Sequence, residues 1–348
     1  MSWVTPLGSG VDSVWERLLE GASAEIEVLE NGQTGARYLV HRVPPEATKN
    51  LPVNPRLRRA SAISRFAAVA GLGALADAKE KPDLARTALV FAISNGGVIY
   101  TRRFFAEIVK SGAPAASPLL FPETVFNAPA SHLAAILAIE GASYTVVGDG
   151  AVGILALKLA DDLLESPEID ACLVVGAEEV DSLVCEAYRQ WRLLRDPEKP
   201  ASKRGLIPSE GAGAVLLQTA RGDYEISRID AGTNFFRRSE AGVKLRRIID
   251  RLGTERASCC IGSGNGTFID TAEKSAIPEH VRLYYPKAAL GDSIGASVLW
   301  QLIVAAQVLR TGRVPTMAGS LPPGKVLVLG CGLNQQMGGL ALCSDGEK

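Results

Sequence analysis

Two runs in this chain are apolar around almost their whole circumference, and a helix without a polar face must be covered on every side. The first spans Ala151 to Leu164 and, as far as Ala160, offers only Lys158 to water. The second spans Ile294 to Leu309, with Ser297, Gln301 and Gln307 as polar members. Each follows a Gly-Asp pair, Gly148-Asp149 and Gly291-Asp292, and each leads through a connection into an apolar strand. Those strands are Ala171 to Gly176 and Lys325 to Gly330, the second connection containing Pro315 and Pro322-Pro323-Gly324. Two such blocks predict a duplicated α/β fold with its helices sandwiched between sheets.

The rest of the chain supplies flanking elements. Val11, Val14, Trp15, Leu18 and Leu19 are spaced for one face of a helix over 11–20. A polar, proline-containing stretch runs from Glu30 to Asn54, followed by an alanine-rich helix from Ser61 to Asp77. Arg86 to Ser94 reads as a buried strand stopped by the turn Asn95-Gly96-Gly97, with helices next over 101–111 and Pro129 to Ile139. At 348 residues, 47% apolar and 22% charged, the chain can bury a large core and has ordinary globular usage. Its 37 basic and 38 acidic residues leave a net charge of -1, which gives no general attraction to nucleic acid or an anionic membrane. Ile294 to Leu309 falls short of the roughly 20 residues that span a bilayer. Met1 to Gly8 lacks a basic start and an apolar h-region, so a cytoplasmic protein is expected. The six cysteines show no CxxC spacing, which fits reduced thiols; neither a metal nor a cofactor is expected.

The stretch Ser117 to Ala156, SPLLFPETVFNAPASHLAAILAIEGASYTVVGDGAVGILA, carries Ser-Pro, Phe-Pro and Asn ahead of Gly-x-Ser-Tyr-Thr-Val. Five further segments keep a fixed order around it. They are Val4 to Gly8 (VTPLG) with Trp15, Ser209 to Ala214 (SEGAGA), Gly264 to Glu273 (GNGTFIDTAE), Lys287 to Ala296 (KAALGDSIGA) and Gly330 to Gln335 (GCGLNQ). Together they resemble the β-ketoacyl synthases of the thiolase superfamily over nearly the whole chain. The resemblance implies a thiolase-like duplicated fold of five layers, αβαβα, with buried central helices. It implies an N-terminal half over 1–218 and a C-terminal half over 219–348, with an opening strand before Val4 that is absent or truncated.

In that family a cysteine at the start of a buried helix accepts the acyl group, and the helix dipole lowers its thiol pKa. Two histidines assist decarboxylation and donate hydrogen bonds to the developing enolate. Carried onto this chain, the cysteine position falls on Gly150, the first histidine position on Ser263 and the second on Asp292. The residue census agrees: the histidines are His41, His132 and His280, none in a matching loop, and no cysteine lies between Ser117 and Ala171. Losing one oxyanion donor costs about 2.7 to 4 kcal/mol, a general acid-base group contributes roughly 10²- to 10⁴-fold, and losing the nucleophile removes the covalent route itself. Asp292 would also set a carboxylate where an enolate must form.

The resemblance therefore implies a subunit like a chain length factor, without catalytic residues or intrinsic condensation activity. Such a subunit forms a heterodimer with an active β-ketoacyl synthase and meets acyl carrier protein through that complex. The dimer would run along an edge strand at Ser143 to Val147, with Glu123 to Asn127 near the partner's acyl tunnel. Thr124, Val125, Phe126 and Asn127 are then candidates for limiting product length, since bulk at a tunnel's end sets how many carbons fit. Cys331 stands where the family has a bulky residue at the acyl pocket.

Other readings of the same residues stay open. Gly148-x-Gly150-x-x-Gly153 formally matches a dinucleotide fingerprint, with Glu178 and Glu179 ending the next strand, although a helix covered on all sides speaks against it. Asp149 and Asp292 each precede a buried helix and are expected to cap its first-turn N–H groups. Their alternative is an acid-base role in a thiolase-fold enzyme of changed chemistry, performing acyl transfer or thioester hydrolysis with Asp149, Asp292, Ser263 or an outlying cysteine. Ser263 and Asn265 are expected to hold a tight loop, and Cys259-Cys260 to be inert core. The pairs Arg58-Arg59, Arg102-Arg103, Arg237-Arg238 and Arg246-Arg247 read as solvated faces, with a carrier-protein footprint as the alternative.

Overall fold

A computed structural model describes residues 1–199, 202–220, 222–322 and 324–344, so Pro323 of the second connection lies outside the described residues. The chain first forms β1 (Ser2–Thr5), β2 (Gly8–Ser9), α1 (Val11–Leu19), β3 (Glu27–Glu30), β4 (Arg37–Val40), α2 (Ala62–Asp77) and β5 (Thr87–Ile93). Next come α3 (Val98–Ser111), α4 (Ala128–Leu137), β6 (Ser143–Val147), α5 (Val152–Leu163), β7 (Ala171–Glu178), α6 (Ser182–Gln190) and β8 (Gly211–Gln218). Then follow β9 (Tyr224–Asn234), α7 (Ala241–Leu252), β10 (Ala257–Ile261), α8 (Phe268–Ala276), β11 (Arg282–Tyr284), α9 (Lys287–Leu290), α10 (Ile294–Thr311), β12 (Lys325–Cys331) and β13 (Gln336–Ser344).

The two all-round apolar helices decide the arrangement. Residues 294–308 of α10 are all buried, and α5 buries Val152, Gly153, Ile154, Ala156, Leu157 and Ala160. Packed against each other, they lie between two sheets. The first sheet, β2-β1-β8-β7-β5-β6, is drawn from residues 2–218; the second, β11-β10-β12-β13-β9, from residues 224–344. Helices α2 and α4 cover the outer face of the first sheet, and α7 and α8 that of the second, which completes the layers αβαβα. Long enough and apolar enough by composition to cross a membrane, α10 is instead 83% buried inside the protein.

Strand directions show the duplication that the two sequence blocks predict. In the first sheet β5 lies parallel to β6 and β7, while β8 runs antiparallel to β7 and β1 antiparallel to β8. In the second, β10 lies parallel to β11 and β12, while β13 runs antiparallel to β12 and β9 antiparallel to β13.

The opening strand is truncated rather than absent: four-residue β1 pairs Ser2 with Ala214, Trp3 with Gly213 and Val4 with Ala212. One feature departs from the sequence reading. The polar stretch over 30–54 contributes structure, because β3 and β4 form a hairpin whose Tyr38 and Val40 pack on Val180 and Cys185. Four-residue strands are too short for a clear period-2 pattern. At the far edge of the first sheet, β6 pairs with β5 on one side and with no described strand on the other.

Candidate functional site

Gly150 lies in the turn that joins β6 to α5. A Cβ at this position would stand 2.9 Å from the Cys331 carbonyl oxygen and 3.1 Å from Gly332 Cα. Both are backbone atoms, so no side-chain rotation would relieve the contact. The Asp149 N–H donates to Gln336 Oε1 at 2.9 Å, and the Asn334 N–H donates to Asp149 Oδ2 at 2.7 Å. Ser263 adds a third tie, its hydroxyl donating to the Leu329 carbonyl at 2.7 Å and accepting the Cys331 N–H at 3.0 Å. The glycine loop after β12 is thereby fastened over the start of α5.

Asp149 and Asp292 do not cap their helices, contrary to the sequence expectation. Helices α5 and α10 have Ala151 and Ser293 at their N-caps, with no side-chain cap bond at either. The main chain closes these turns itself, with Val152 N–H donating to the Asp149 carbonyl at 2.8 Å and Ala296 N–H to the Ser293 carbonyl at 2.6 Å. The carboxylates turn elsewhere. Asp292 Oδ1 lies 3.0 Å from Lys287 Nζ and accepts the Ser297 hydroxyl at 3.0 Å, while Oδ2 accepts from Asn265 Nδ2 at 2.7 Å. The Lys287 and Asp292 side chains are only 2% and 3% exposed, so the pair is a buried one. Asn265 holds its loop as expected, Oδ1 accepting the Thr267 hydroxyl at 2.6 Å. Beside it, the Glu273 carboxylate accepts the Ser263 and Gly264 N–H groups at 2.8 and 3.1 Å. Burial pushes that carboxyl up to about 7.

No thiol is activated here. Cys331 is buried under the glycine loop, and burial, followed by the Glu273 and Asp149 carboxylates, raises its pKa well above the usual thiol range. Cys259 and Cys260 are inert core as expected, Cys259 pushed up to about 12 by burial. His280 is exposed in a turn, and His132 on α4 faces Glu123. The sequence reading missed His41, which comes close to the second loop. Its ring Cδ2 would lie 2.6 Å from a Cβ on Gly291, a residue held at φ 75°. His41 Nδ1 sits 2.6 Å from the Glu25 carbonyl oxygen, so Nδ1 carries the proton. Burial lowers its pKa and favours the neutral ring.

Lys287 was also passed over, although a cation five residues before an acid in an otherwise apolar segment marks a paired site. Glu178, at the end of the strand after the formal dinucleotide fingerprint, accepts the Ser94 N–H at 2.9 Å and the Asn95 N–H at 3.2 Å. Arg102 is not simply solvated: it pairs with buried Asp181 at 3.0 Å and donates to Ser182 Oγ at 3.0 Å. Arg238 stacks 5.1 Å from the Phe268 ring centroid, and Arg246 donates to the Ser275 carbonyl at 2.8 Å.

Thus Gly150, Ser263 and Cys331 meet directly, and Asp292 reaches the same loop through Asn265. The candidates Thr124, Val125, Phe126 and Asn127 lie apart from them, around a one-turn helix at Phe121–Thr124 that packs on α3 and α4. Val125 and Phe126 are 42% and 44% exposed.

Residues 1–222 match the family described as β-ketoacyl synthase, N-terminal domain. The 3-oxoacyl-[acyl-carrier-protein] synthase 2 of Rhizobium meliloti is 23% identical over 367 residues, covering 90% of this chain and 85% of that protein. Its namesake from Vibrio harveyi is 22% identical over 233 residues, 63% of this chain, and the match spans only 56% of that relative's length. Among solved structures, the ishigamide ketosynthase/chain length factor superposes with a TM-score of 0.78 at 18% identity, covering 99% of this chain and 98% of that one. A ketosynthase in complex with its chain length factor from Xenorhabdus doucetiae gives 0.79 at 15% identity, covering 99% and 96%. A β-ketoacyl synthase from Burkholderia phymatum gives 0.81 at 16%, covering 99% and 97%. The structural likeness shows that the fold is shared.

Proposed function

The chain belongs to the β-ketoacyl synthase family, and we propose that it serves as a catalytically silent subunit, similar to a chain length factor, that pairs with an active ketosynthase and shapes its acyl tunnel. One observation carries this reading: the Cys331–Gly332 backbone comes within 2.9 Å of where the Cβ of a nucleophile at position 150 would stand. Without that nucleophile there is no thioester intermediate. Ser263 spends its hydroxyl on the Leu329 carbonyl and the Cys331 N–H, and Asp292 spends its carboxylate on Lys287, Ser297 and Asn265. That internal bonding weighs against acyl transfer or thioester hydrolysis by these residues.

The partner reading rests on β6. Its outer edge is unpaired among the described strands, and Tyr144 and Val147 are 44% and 47% exposed on it. Such an edge invites a strand from another chain. A second copy of this chain would bring no nucleophile, whereas a cysteine-bearing ketosynthase completes a reaction centre; acyl carrier protein would then be met through the pair. Two of the solved neighbours are described as ketosynthase and chain length factor together, which supports this choice.

Co-expression with the cysteine-bearing ketosynthase of the same source tests the proposal. A stoichiometric complex that condenses malonyl units, beside an isolated chain that takes up no acyl group from acyl thioesters, is the expected result. Acyl-thioester turnover by the isolated chain, lost on Asp292→Asn, would overturn it.

A further inference from the structure

We infer that His132 is a positioning residue: clasping Glu123, it fixes the Phe121 to Asn127 segment and so sets where Phe126 stands at the subunit surface. The inference rests on the tunnel-shaping reading above. His132 Nε2 lies 2.7 Å from Glu123 Oε1, with the two side chains 18% and 10% exposed. Both second polar atoms, His132 Nδ1 and Glu123 Oε2, are buried without a partner. Each group therefore has one polar contact that holds it, and breaking that contact leaves a buried polar side chain with none.

The clasp acts on a segment seated on two glycines. A Cβ on Gly97 would run into the Glu123 carbonyl oxygen, and a Cβ on Gly96 would lie 2.6 Å from the Phe126 ring. Gly96 also has φ 63°, so this turn takes glycine both for its backbone and for the ring it accommodates. The turn itself is anchored from below, because the buried Glu178 carboxylate accepts the N–H groups of Ser94 and Asn95. On the far side Thr101 donates to the Gly97 carbonyl at 3.1 Å and Thr124 to the Phe121 carbonyl at 2.7 Å. Phe126 thus lies over a hydrogen-bonded turn, and the only side-chain tether from this segment to α4 among these contacts is His132. The tether lies nine residues from Glu123 in sequence, on the helix that packs on edge strand β6. Movement of a tunnel-end ring by about the length of one C–C bond changes whether a further acyl unit fits, because packed interiors leave no void to absorb it.

Hydrogen exchange on the free chain and product analysis on the co-expressed ketosynthase pair test this together. His132→Ala should speed amide exchange in 121–127 roughly tenfold or more. It should also broaden the product length distribution, while complex yield stays within about twofold of wild type. His132→Gln, which keeps a donor toward Glu123, should restore both readouts. Glu123→Ala should reproduce His132→Ala, and the double variant should be no worse than either single change, as expected for two halves of one contact; it also serves if His132→Ala does not accumulate. Unchanged exchange in 121–127 in both alanine variants would overturn the clasp. So would product lengths that shift with Phe126→Ala but stay fixed in His132→Ala and Glu123→Ala. If Phe126→Ala itself leaves product length unchanged, the tunnel-shaping reading fails, and with it the functional role given to His132, while the exchange data still judge the contact.

Discussion

Restoring a thiol to position 150 is the sharpest probe of the packed loop. Gly150 is not in the left-handed region, so Gly150→Cys meets no backbone penalty and even gains roughly 0.4 to 1 kcal/mol by restricting the unfolded chain. Against that stands the new Cβ at 2.9 Å from the Cys331 carbonyl oxygen and 3.1 Å from Gly332 Cα. Ordinary contact begins near 3.5 Å. To make room the loop must lift, straining its bonds to Asp149 and Ser263; overpacking of this kind costs about 1 to 3 kcal/mol. Set against the entropy gain, this leaves a net loss of roughly 0 to 2.6 kcal/mol, centred on a little over 1 kcal/mol and read as a few degrees in melting temperature. Thermal unfolding and urea titration would measure the loss. Intact-mass analysis after incubation with an acyl thioester should show no acyl adduct at the new thiol, since the Cys331–Gly332 backbone packs against it. A variant more stable than wild type would refute the packed-loop argument, and an acylated one would return the centre to the active class.

Other expected outcomes are more compact. Asp292→Ala strands the Lys287 ammonium in the core and should cost about 3 to 5 kcal/mol by urea unfolding, whereas replacing both partners with apolar residues should restore much of it; equal losses in single and double variants would deny the pairing. Burial raises the Glu178 carboxyl to about 8, above its usual 4.5, so the stability it lends is whole below about 4.5 and fades as pH rises toward 8. Glu178→Gln should therefore flatten the fall of melting temperature between pH 5 and pH 8.5, and parallel profiles would contradict the assignment. Val147→Lys on β6 should abolish co-purification with a ketosynthase while leaving the isolated chain folded by circular dichroism. Phe126→Ala should lengthen the products of the reconstituted pair, read by mass spectrometry.

Much of the architecture was legible because it follows from covering apolar surface. Helix α10 announces itself by lacking a polar face and α5 by a run that is apolar but for Lys158 as far as Ala160, and the strands after them by unbroken apolar runs. The site was legible only as a set of absences. Motif order singles out Gly150, Ser263 and Asp292; what they touch it does not give, because most of their partners lie on other segments, although Lys287 and Ser297 are only five residues from Asp292. Asp149 finds Asn334 and Gln336, Ser263 finds Leu329, and His41 arrives beside Gly291. The capping expectation failed because side chains and loops competed for the carboxylates: Asn334 took that of Asp149, and Lys287, Ser297 and Asn265 took that of Asp292.

The bare margin of β6 carries a cost at synthesis. If a partner covers it as proposed, each newly made copy displays, until then, a ready template for non-native strand addition, and excess copies become candidates for aggregation or degradation. Cells that rely on such a chain gain from producing it in step with whatever covers that margin, so dosage and timing of expression become part of its physical chemistry.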